Sequence, residues 1–256
     1  MSMSSLRRAT RLACAAMALC ALPLAGAAQQ ITVSAAASLT DAFKELGPKF
    51  EATRPGSSVR FNFAASGVLL QQIAQGAPVD VFASADQETM DRAADRKLID
   101  SPTRRDFASN SVVLVTPVGH AVPLRQLADL GRPEVRRIAI GKTETVPVGR
   151  YTKQALDAAS LWATLEPKFV QADSVRQVLD YVARGEAEAG FVYRTDAAIM
   201  ADKVAIALTA SGHAPVRYPV AVIAESRQKA LATAFVEYLL SPAGQEIVAR
   251  YGFGKP

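Results

Sequence analysis

Two spacings of apolar residues alternate along the chain. Short apolar runs such as Ile31-Thr32-Val33 and Ser111 to Thr116 are typical of buried strands. The apolar positions between Val175 and Val182 instead follow the i, i+3, i+4, i+7 spacing of an amphipathic helix, which Asp173 or Ser174 should cap. Because strands and helices alternate in this way over most of the sequence, we predict an α/β protein with mostly parallel sheets.

The alternation falls into two groups of strands and helices, roughly 31–109 and 110–220. The pattern of the last part of the chain predicts an extended segment followed by two helices. We expect this whole part to return to the first group. We therefore predict two lobes: lobe 1 from residues 28–109 plus 222–256, and lobe 2 from residues 110–221.

The N-terminus has the pattern of a secretory signal peptide. Three arginines precede an apolar stretch from Leu12 to Leu24, which is followed by the A-x-A motif Ala25-Gly26-Ala27. We expect cleavage after residue 27 and export to the periplasm. The pair Arg7-Arg8 keeps twin-arginine export open as an alternative, although Ala9-Thr10-Arg11 fits that signal poorly.

Removal of the signal changes how the composition is interpreted. Both cysteines, Cys14 and Cys20, would be lost, so the exported protein would have no disulfide, thiolate nucleophile or cysteine metal site. The formal charge of +5 includes three arginines of the signal, so 5 − 3 leaves about +2 and gives no reason to expect a nucleic-acid partner. The two histidines, His120 and His213, are isolated, and we expect no metal cation site.

The most informative residues lie where predicted strands run into predicted helices. Ser38 and Ser66 each follow a strand ending in alanines and precede a helix, the first covering Leu39 to Thr53. Each serine occupies the expected N-cap position, and Asp41 completes a weak capping box with Ser38. Unpaired amides and the positive end of a helix dipole suit an anion, so these turns predict an oxyanion site.

Several phrases, in the same order, make the chain resemble the periplasmic molybdate-binding proteins of ABC importers, from Ile31 to Phe253. The phrases are Ala35-Ala36-Ala37-Ser38-Leu39, Phe63-Ala64-Ala65-Ser66, Gly76 to Asp86, Val146-Pro147-Val148-Gly149, Gly190-Phe191-Val192-Tyr193 and Tyr218-Pro219-Val220-Ala221-Val222. The resemblance implies a two-lobed, type II solute-binding fold, with a mostly parallel sheet flanked by helices in each lobe.

The same resemblance implies the ligand and its contacts. The lobes would close over molybdate or tungstate, held by the hydroxyls of Ser38 and Ser66, the amides of Val148 and Val175, and the hydroxyl of Tyr193. It implies no catalytic residue and no cofactor. The implied partners are the importer's membrane permease and its ATPase, and we expect a monomer.

Three positions depart from the family pattern. Gly67 stands where a third serine is common, Val148 stands where alanine is common, and Arg194 replaces a small residue after the tyrosine. The change at Val148 should matter little if only its N–H group binds the anion. The effect of Arg194 on lobe closure does not follow from the sequence.

A site of this kind would discriminate between oxyanions through its hydrogen-bond donors. A fully deprotonated oxyanion offers only acceptors, which hydroxyl and amide groups can satisfy. Hydrogen phosphate would bring an O–H group without an acceptor, at a cost of about 1–3 kcal/mol. Sulfate carries no such group, so its exclusion would rest on the size of the cavity.

Other interpretations remain open at this point. The serines could serve only as helix caps, and Tyr193 could be an ordinary core-edge tyrosine. Asp80 and Asp86 could form a catalytic pair, although cap and turn roles are favoured. An exported hydrolase with Ser66 as nucleophile lacks the flanking glycines of a nucleophile elbow. A binding protein for another oxyanion, such as sulfate, is the third alternative.

Overall fold

The computed structural model describes residues 29–119 and 123–256, and two five-stranded sheets organise this part of the chain. The signal peptide predicted for residues 1–27 lies outside the described residues, as does His120. Helices flank both sheets, which confirms the predicted two-lobed α/β architecture. Below, the first lobe carries sheet 1 and the second lobe carries sheet 2.

Sheet 1 has one strand that runs against the other four. Its strands are β1 (Gln29–Ala36), β2 (Ser57–Ala64), β3 (Val81–Ala83), β4 (Arg105–Asn110) and β10 (Val216–Val222), in the order β2-β1-β3-β10-β4. Strand β1 pairs in parallel with β2 and β3, whereas β10 pairs antiparallel with β3 and β4. The carboxyl ends of β1, β2 and β3 therefore meet at the same edge.

Sheet 2 repeats this arrangement. Its strands are β5 (Val112–Pro117), β6 (Ile138–Gly141), β7 (Phe169–Ala172), β8 (Ala189–Tyr193) and β9 (Val204–Thr209), in the order β7-β6-β8-β5-β9. Strand β6 pairs in parallel with β7 and β8, and β5 pairs antiparallel with β8 and β9. In each sheet, four strands thus point the same way and the strand in the fourth position runs against them, so two of the four neighbouring pairs are parallel and two are antiparallel.

Nine α-helices cover the sheets in the described part of the chain. They are α1 (Thr40–Thr53), α2 (Ser66–Ala74), α3 (Gln87–Asp95), α4 (Pro147–Ala158), α5 (Trp162–Leu165), α6 (Val175–Ala183), α7 (Arg194–Ile199), α8 (Lys229–Leu240) and α9 (Pro242–Arg250). The apolar stripe predicted between Val175 and Val182 is buried in α6. None of the helices within residues 29–119 and 123–256 is long and apolar enough to span a bilayer.

The chain crosses between the sheets twice, and the second crossing differs from the sequence prediction. The first crossing follows Asn110, at the end of β4. The predicted lobe 2 extended to residue 221, but hydrogen bonding places all of β10 in sheet 1, so the chain returns before Val216. An extended apolar segment does not show by itself which sheet it will join. Beyond β10, Phe235 of α8 packs edge-on against Phe50 of α1 at 5.4 Å between ring centroids.

Candidate functional site

A small cavity lies between the two lobes, where strand ends meet helix starts. The cavity is tight, with a volume of about 10 Å³ open to the centre of a water-sized sphere. The lining residues are Ala36, Ala37, Ser38, Ala65, Ser66, Ala85, Val146, Pro147, Val148, Val175 and Tyr193. All five residues predicted to bind the anion are therefore brought together at one cavity. No charged side chain is among the described residues that line it.

Ser38 reaches the cavity from a tight turn after β1. The turn, Ala37–Leu39, is a 3-10 helix, and α1 begins only at Thr40 with Leu39 as its N-cap. The predicted N-cap role of Ser38 is wrong, because this extra turn moves the cap by one residue. The Ser38 hydroxyl makes no cap hydrogen bond, and it lies 3.1 Å from the hydroxyl of Tyr218.

Ser66 occupies the matching place after β2. It is the first residue of α2, and the N-cap is Ala65, so the predicted cap role of Ser66 is also wrong. The Ser66 hydroxyl oxygen is fully buried and accepts a hydrogen bond from the amide of Ala85 at 3.0 Å. A backbone amide can only donate, so the hydroxyl hydrogen of Ser66 is left to point into the cavity.

The second lobe presents main-chain amides to the same space. Val148 is the second residue of α4 and follows Pro147, which has no N–H group. Val175 is the first residue of α6, and the predicted cap at Ser174 is present, since its side chain accepts from the amide of Gln177. The amides of Val148 and Val175 have no hydrogen-bond partner among the described residues. Both lie at helix N-termini, where the dipole favours an anion.

Tyr193 ends β8 with its side chain almost entirely buried. Its hydroxyl donates to the carbonyl of Ala85, across the lobes, at a long 3.4 Å. Burial raises the pKa of Tyr193 well above its ordinary value, so the hydroxyl stays protonated at neutral pH and can act as a donor.

Two arginines join the lobes beside the cavity, and sequence reasoning missed both. Arg150 of α4 lies two residues after Val148, and its Nη2 is 2.6 Å from a carboxylate oxygen of Asp86. Arg176 follows Val175 and places Nη2 2.8 Å from Asp41. The sequence signal was the closeness of each arginine to a predicted amide donor. Each guanidinium is matched by a carboxylate instead of facing the cavity, which leaves the cavity lined by neutral donors.

Asp196 completes this network from the second lobe. It is fully buried, and its Oδ1 accepts from Nε of Arg176 at 2.6 Å. Its other oxygen, Oδ2, has no hydrogen-bond partner among the described residues. Desolvation on burial raises the pKa of Asp196 to about 6, although the positive charge of Arg176 opposes that rise.

The two carboxylates that could have formed a catalytic pair have separate structural contacts. Asp80 accepts from the amide of Thr32 at 2.8 Å and from the hydroxyl of Ser226 at 2.6 Å. Asp86 caps α3, where it accepts from the amide of Thr89, and it also pairs with Arg150. These contacts agree with the favoured cap and turn roles.

The structure gives two of the family departures a physical meaning. The Gly67 amide donates to the carbonyl of Thr145 in the second lobe at 2.9 Å. A Cβ atom at position 67 would lie 2.7 Å from both Cα and the carbonyl oxygen of Thr145, so the two backbones approach closely only because residue 67 is glycine. Arg194 donates to the hydroxyl of Thr209 at 2.7 Å, within its own lobe, and does not line the cavity.

Comparison with known proteins gives the class of protein to which this fold and site belong. The chain belongs to the bacterial extracellular solute-binding proteins, whose family model matches residues 31–254. It is therefore a binding protein of that family and not the exported hydrolase considered above.

Individual proteins that are similar to this chain include molybdate-binding and sulfate-binding proteins. The chain is 41% identical to the molybdate-binding protein ModA of Escherichia coli over 234 residues, which cover 88% of each protein. The periplasmic molybdate-binding protein of Azotobacter vinelandii has a similar structure, with a TM-score of 0.76 at 24% identity over 88% of this chain and 99% of that one. The sulfate-binding protein SubI of Mycobacterium tuberculosis has a TM-score of 0.78 at 19% identity, over 88% and 86% of the two chains. The last two likenesses establish the shared fold alone.

Proposed function

We propose that this protein is the periplasmic solute-binding component of an ABC importer and that it binds molybdate. The observation that carries the proposal is the cavity, where neutral donors from both lobes converge and where none of the lining residues that the structure describes is charged. The proposed contacts are the hydroxyls of Ser38, Ser66 and Tyr193 and the amides of Val148 and Val175. The 41% identical ModA of Escherichia coli is named for the same ligand.

The chemistry of this donor set explains why a proton-free dianion would be favoured. Each of these groups can donate to the ligand, with Tyr193 turning its hydroxyl hydrogen from the carbonyl of Ala85 to the anion. Hydrogen bonds to a charged acceptor are about twice as strong as neutral ones. Val148 and Val175 lie at helix N-termini, which add partial positive charge beside the ligand. A protonated anion would instead leave its own O–H group unsatisfied in a closed cavity.

Tungstate has the same shape and charge as molybdate, and we propose that it binds to the same donors. Sulfate is the second candidate, because it is also tetrahedral and free of protons. The shared fold of SubI makes sulfate worth testing directly. We further propose export through the signal peptide at residues 1–27, action as a monomer, and delivery of the anion to a membrane permease with its ATPase. The lobes would comprise residues 28–110 plus 216–256, and residues 111–215.

Parallel titration calorimetry on the exported, dialysed protein tests the proposal. We expect tight binding of molybdate and tungstate, weaker binding of sulfate and the weakest binding of hydrogen phosphate. Ligand should also raise the melting temperature, because a ligand at 100 times its Kd stabilises the folded state by about 2.7 kcal/mol. Tighter binding of sulfate would favour the second candidate. No heat and no thermal shift with any of these anions would refute both.

A further inference from the structure

A row of three polar side chains, the last two of them buried, leads from the first crossing between the sheets to Ser38. It begins at Asn110, the last residue of β4, and passes through Tyr218 of β10. Nδ2 of Asn110 lies 3.3 Å from the Tyr218 hydroxyl oxygen, which lies 3.1 Å from Oγ of Ser38. Tyr218 is fully buried, so this row is closed to solvent at its centre.

The direction of these hydrogen bonds follows from the carboxamide of Asn110. The amide of Ser111 donates to Oδ1 of Asn110 at 2.9 Å, which identifies the oxygen side of the group. The NH₂ side therefore faces both Thr195, at 2.9 Å, and Tyr218. A carboxamide NH₂ group can only donate, so the Tyr218 oxygen accepts from Asn110. Among the described residues, Oγ of Ser38 is then the partner within reach that can accept the Tyr218 hydrogen.

Ser38 is thereby turned into a donor. Its oxygen accepts from Tyr218, which leaves its own hydrogen for the cavity that it lines. Ser66 also keeps its hydrogen for the cavity, because a single contact occupies its oxygen, which accepts from the amide of Ala85. Burial raises the pKa of Tyr218 well above its ordinary value, which keeps the phenol hydrogen in place at neutral pH.

We propose that Asn110 and Tyr218 are positioning residues that orient the Ser38 hydroxyl so that its hydrogen, and not a lone pair, faces the bound anion. The inference rests on the proposed function, since it concerns the same cavity. It adds two residues that do not touch the ligand but determine what Ser38 can recognise. A lone pair at this point would accept the O–H of a protonated oxyanion, so the row also contributes to the exclusion of hydrogen phosphate.

Tyr218→Phe removes only the hydroxyl oxygen and retains the ring, which packs edge-on against Phe107 and Phe253. We expect about fivefold weaker molybdate binding by calorimetry, and a smaller affinity ratio of molybdate to hydrogen phosphate. The decisive measurement is the double-mutant cycle with Ser38→Ala. In the Ser38→Ala background, Tyr218→Phe should have almost no further effect, because its role is exerted through Ser38.

Asn110→Asp provides a sharper variant of nearly the same shape. A carboxylate accepts from Tyr218, so Ser38 must then donate to the Tyr218 oxygen and would turn a lone pair towards the anion. We expect a loss of molybdate affinity of about 50-fold, larger than for Tyr218→Phe. Asn110→Asp could weaken binding by direct repulsion between the new carboxylate and the anion or by reversal of the hydrogen bonds. Repeating it in the Tyr218→Phe background separates these two causes, because the repulsion persists there whereas the reversal does not.

The outcomes distinguish this inference from the function on which it rests. If wild-type protein does not bind molybdate, the proposed function fails. The positioning role is overturned if wild type binds molybdate and two further results are found. The first is that the effects of Ser38→Ala and Tyr218→Phe on molybdate affinity simply add. The second is that Asn110→Asp lowers the affinity by the same factor with or without the Tyr218 hydroxyl. Should Tyr218→Phe lower the melting temperature too far for titration, the cycle of Asn110→Asp with Ser38→Ala decides in the same way.

Discussion

The two lobes have the same sheet topology but offer the cavity different kinds of donor. In the first lobe, the turns after β1 and β2 present the side-chain hydroxyls of Ser38 and Ser66. In the second lobe, the starts of α4 and α6 present the main-chain amides of Val148 and Val175, and only Tyr193 adds a side chain. A strand end followed by a helix start can thus supply an anion with hydrogens by either route.

The difference matters because the two donors need different support. A serine hydroxyl rotates and can either donate or accept, so each serine has a neighbour that occupies its oxygen: Tyr218 for Ser38 and the Ala85 amide for Ser66. An amide at a helix start is held by the helix itself and can only donate. The first lobe should therefore be sensitive to side-chain changes at the site, and the second lobe should tolerate them.

The largest expected effect is on the pH dependence of stability, and it comes from the charged groups that join the two lobes. Arg176 joins Asp41 of the first lobe, which is partly exposed, to Asp196 of the second, which is fully buried. Because the pKa of Asp196 is raised to about 6 from an ordinary 3.8, the folded state binds its proton more tightly than the unfolded state. The stability from this group is thus present below about pH 4 and is lost as the pH rises through 6, by up to about 3 kcal/mol.

Asp196→Asn removes this titration and should reduce the fall in the free energy of unfolding between pH 4 and 7. Urea unfolding at a series of pH values measures the effect. Asp157→Asn is the matched control, since Asp157 is an exposed partner of Lys153. Parallel pH curves for wild type and Asp196→Asn would contradict the assignment.

Ser66→Ala tests the side-chain route of the first lobe. It removes one charge-assisted hydrogen bond to the anion, so we expect molybdate affinity to fall about 30-fold. It also leaves the buried amide of Ala85 without its acceptor, which should lower the free energy of unfolding by about 1–3 kcal/mol. Ser241→Ala is the control, because Ser241 does cap its helix, α9, by accepting from Gly244. That variant should lose about 1 kcal/mol of stability and no affinity. The reverse pattern would mean that Ser66 is a structural residue.

Gly67→Ala tests the contact between the lobes. The added Cβ would lie 2.7 Å from the backbone of Thr145, so the lobes could not close as tightly. We expect about tenfold weaker molybdate binding by calorimetry, and a larger radius of gyration by X-ray scattering at saturating molybdate. Gly131→Ala is the control, since no described atom lies within 4 Å of its added Cβ. Equal affinities in both variants would show that closure does not need glycine at position 67.

The smallest expected effect tests the main-chain route of the second lobe. Val148→Ala keeps the amide and shortens a fully buried side chain. We expect molybdate affinity within about twofold of wild type, while stability falls by about 1–3 kcal/mol for the lost packing. Calorimetry and thermal unfolding on the same sample measure the two quantities. A loss of affinity as large as that of Ser66→Ala would remove the distinction between the lobes.

Features that depend on residues close together along the chain follow from the sequence alone. The alternation of strands and helices, the apolar face of α6, the cap at Ser174 and the small residues at strand ends all follow from local periodicity and helix-start chemistry. The resemblance to a known family then selected Ser38, Ser66, Val148, Val175 and Tyr193, which the fold brings to one cavity.

Features that depend on partners far apart along the chain become visible when the chain is folded. The short turn before α1 displaced the predicted cap, and hydrogen bonds to β3 and β4 placed β10 in sheet 1. That placement brings Tyr218 to Ser38 across 180 positions of sequence. The pairs Arg150–Asp86 and Arg176–Asp41 form only when the two lobes meet. No local pattern encodes such contacts, because they arise from strand pairing and lobe closure.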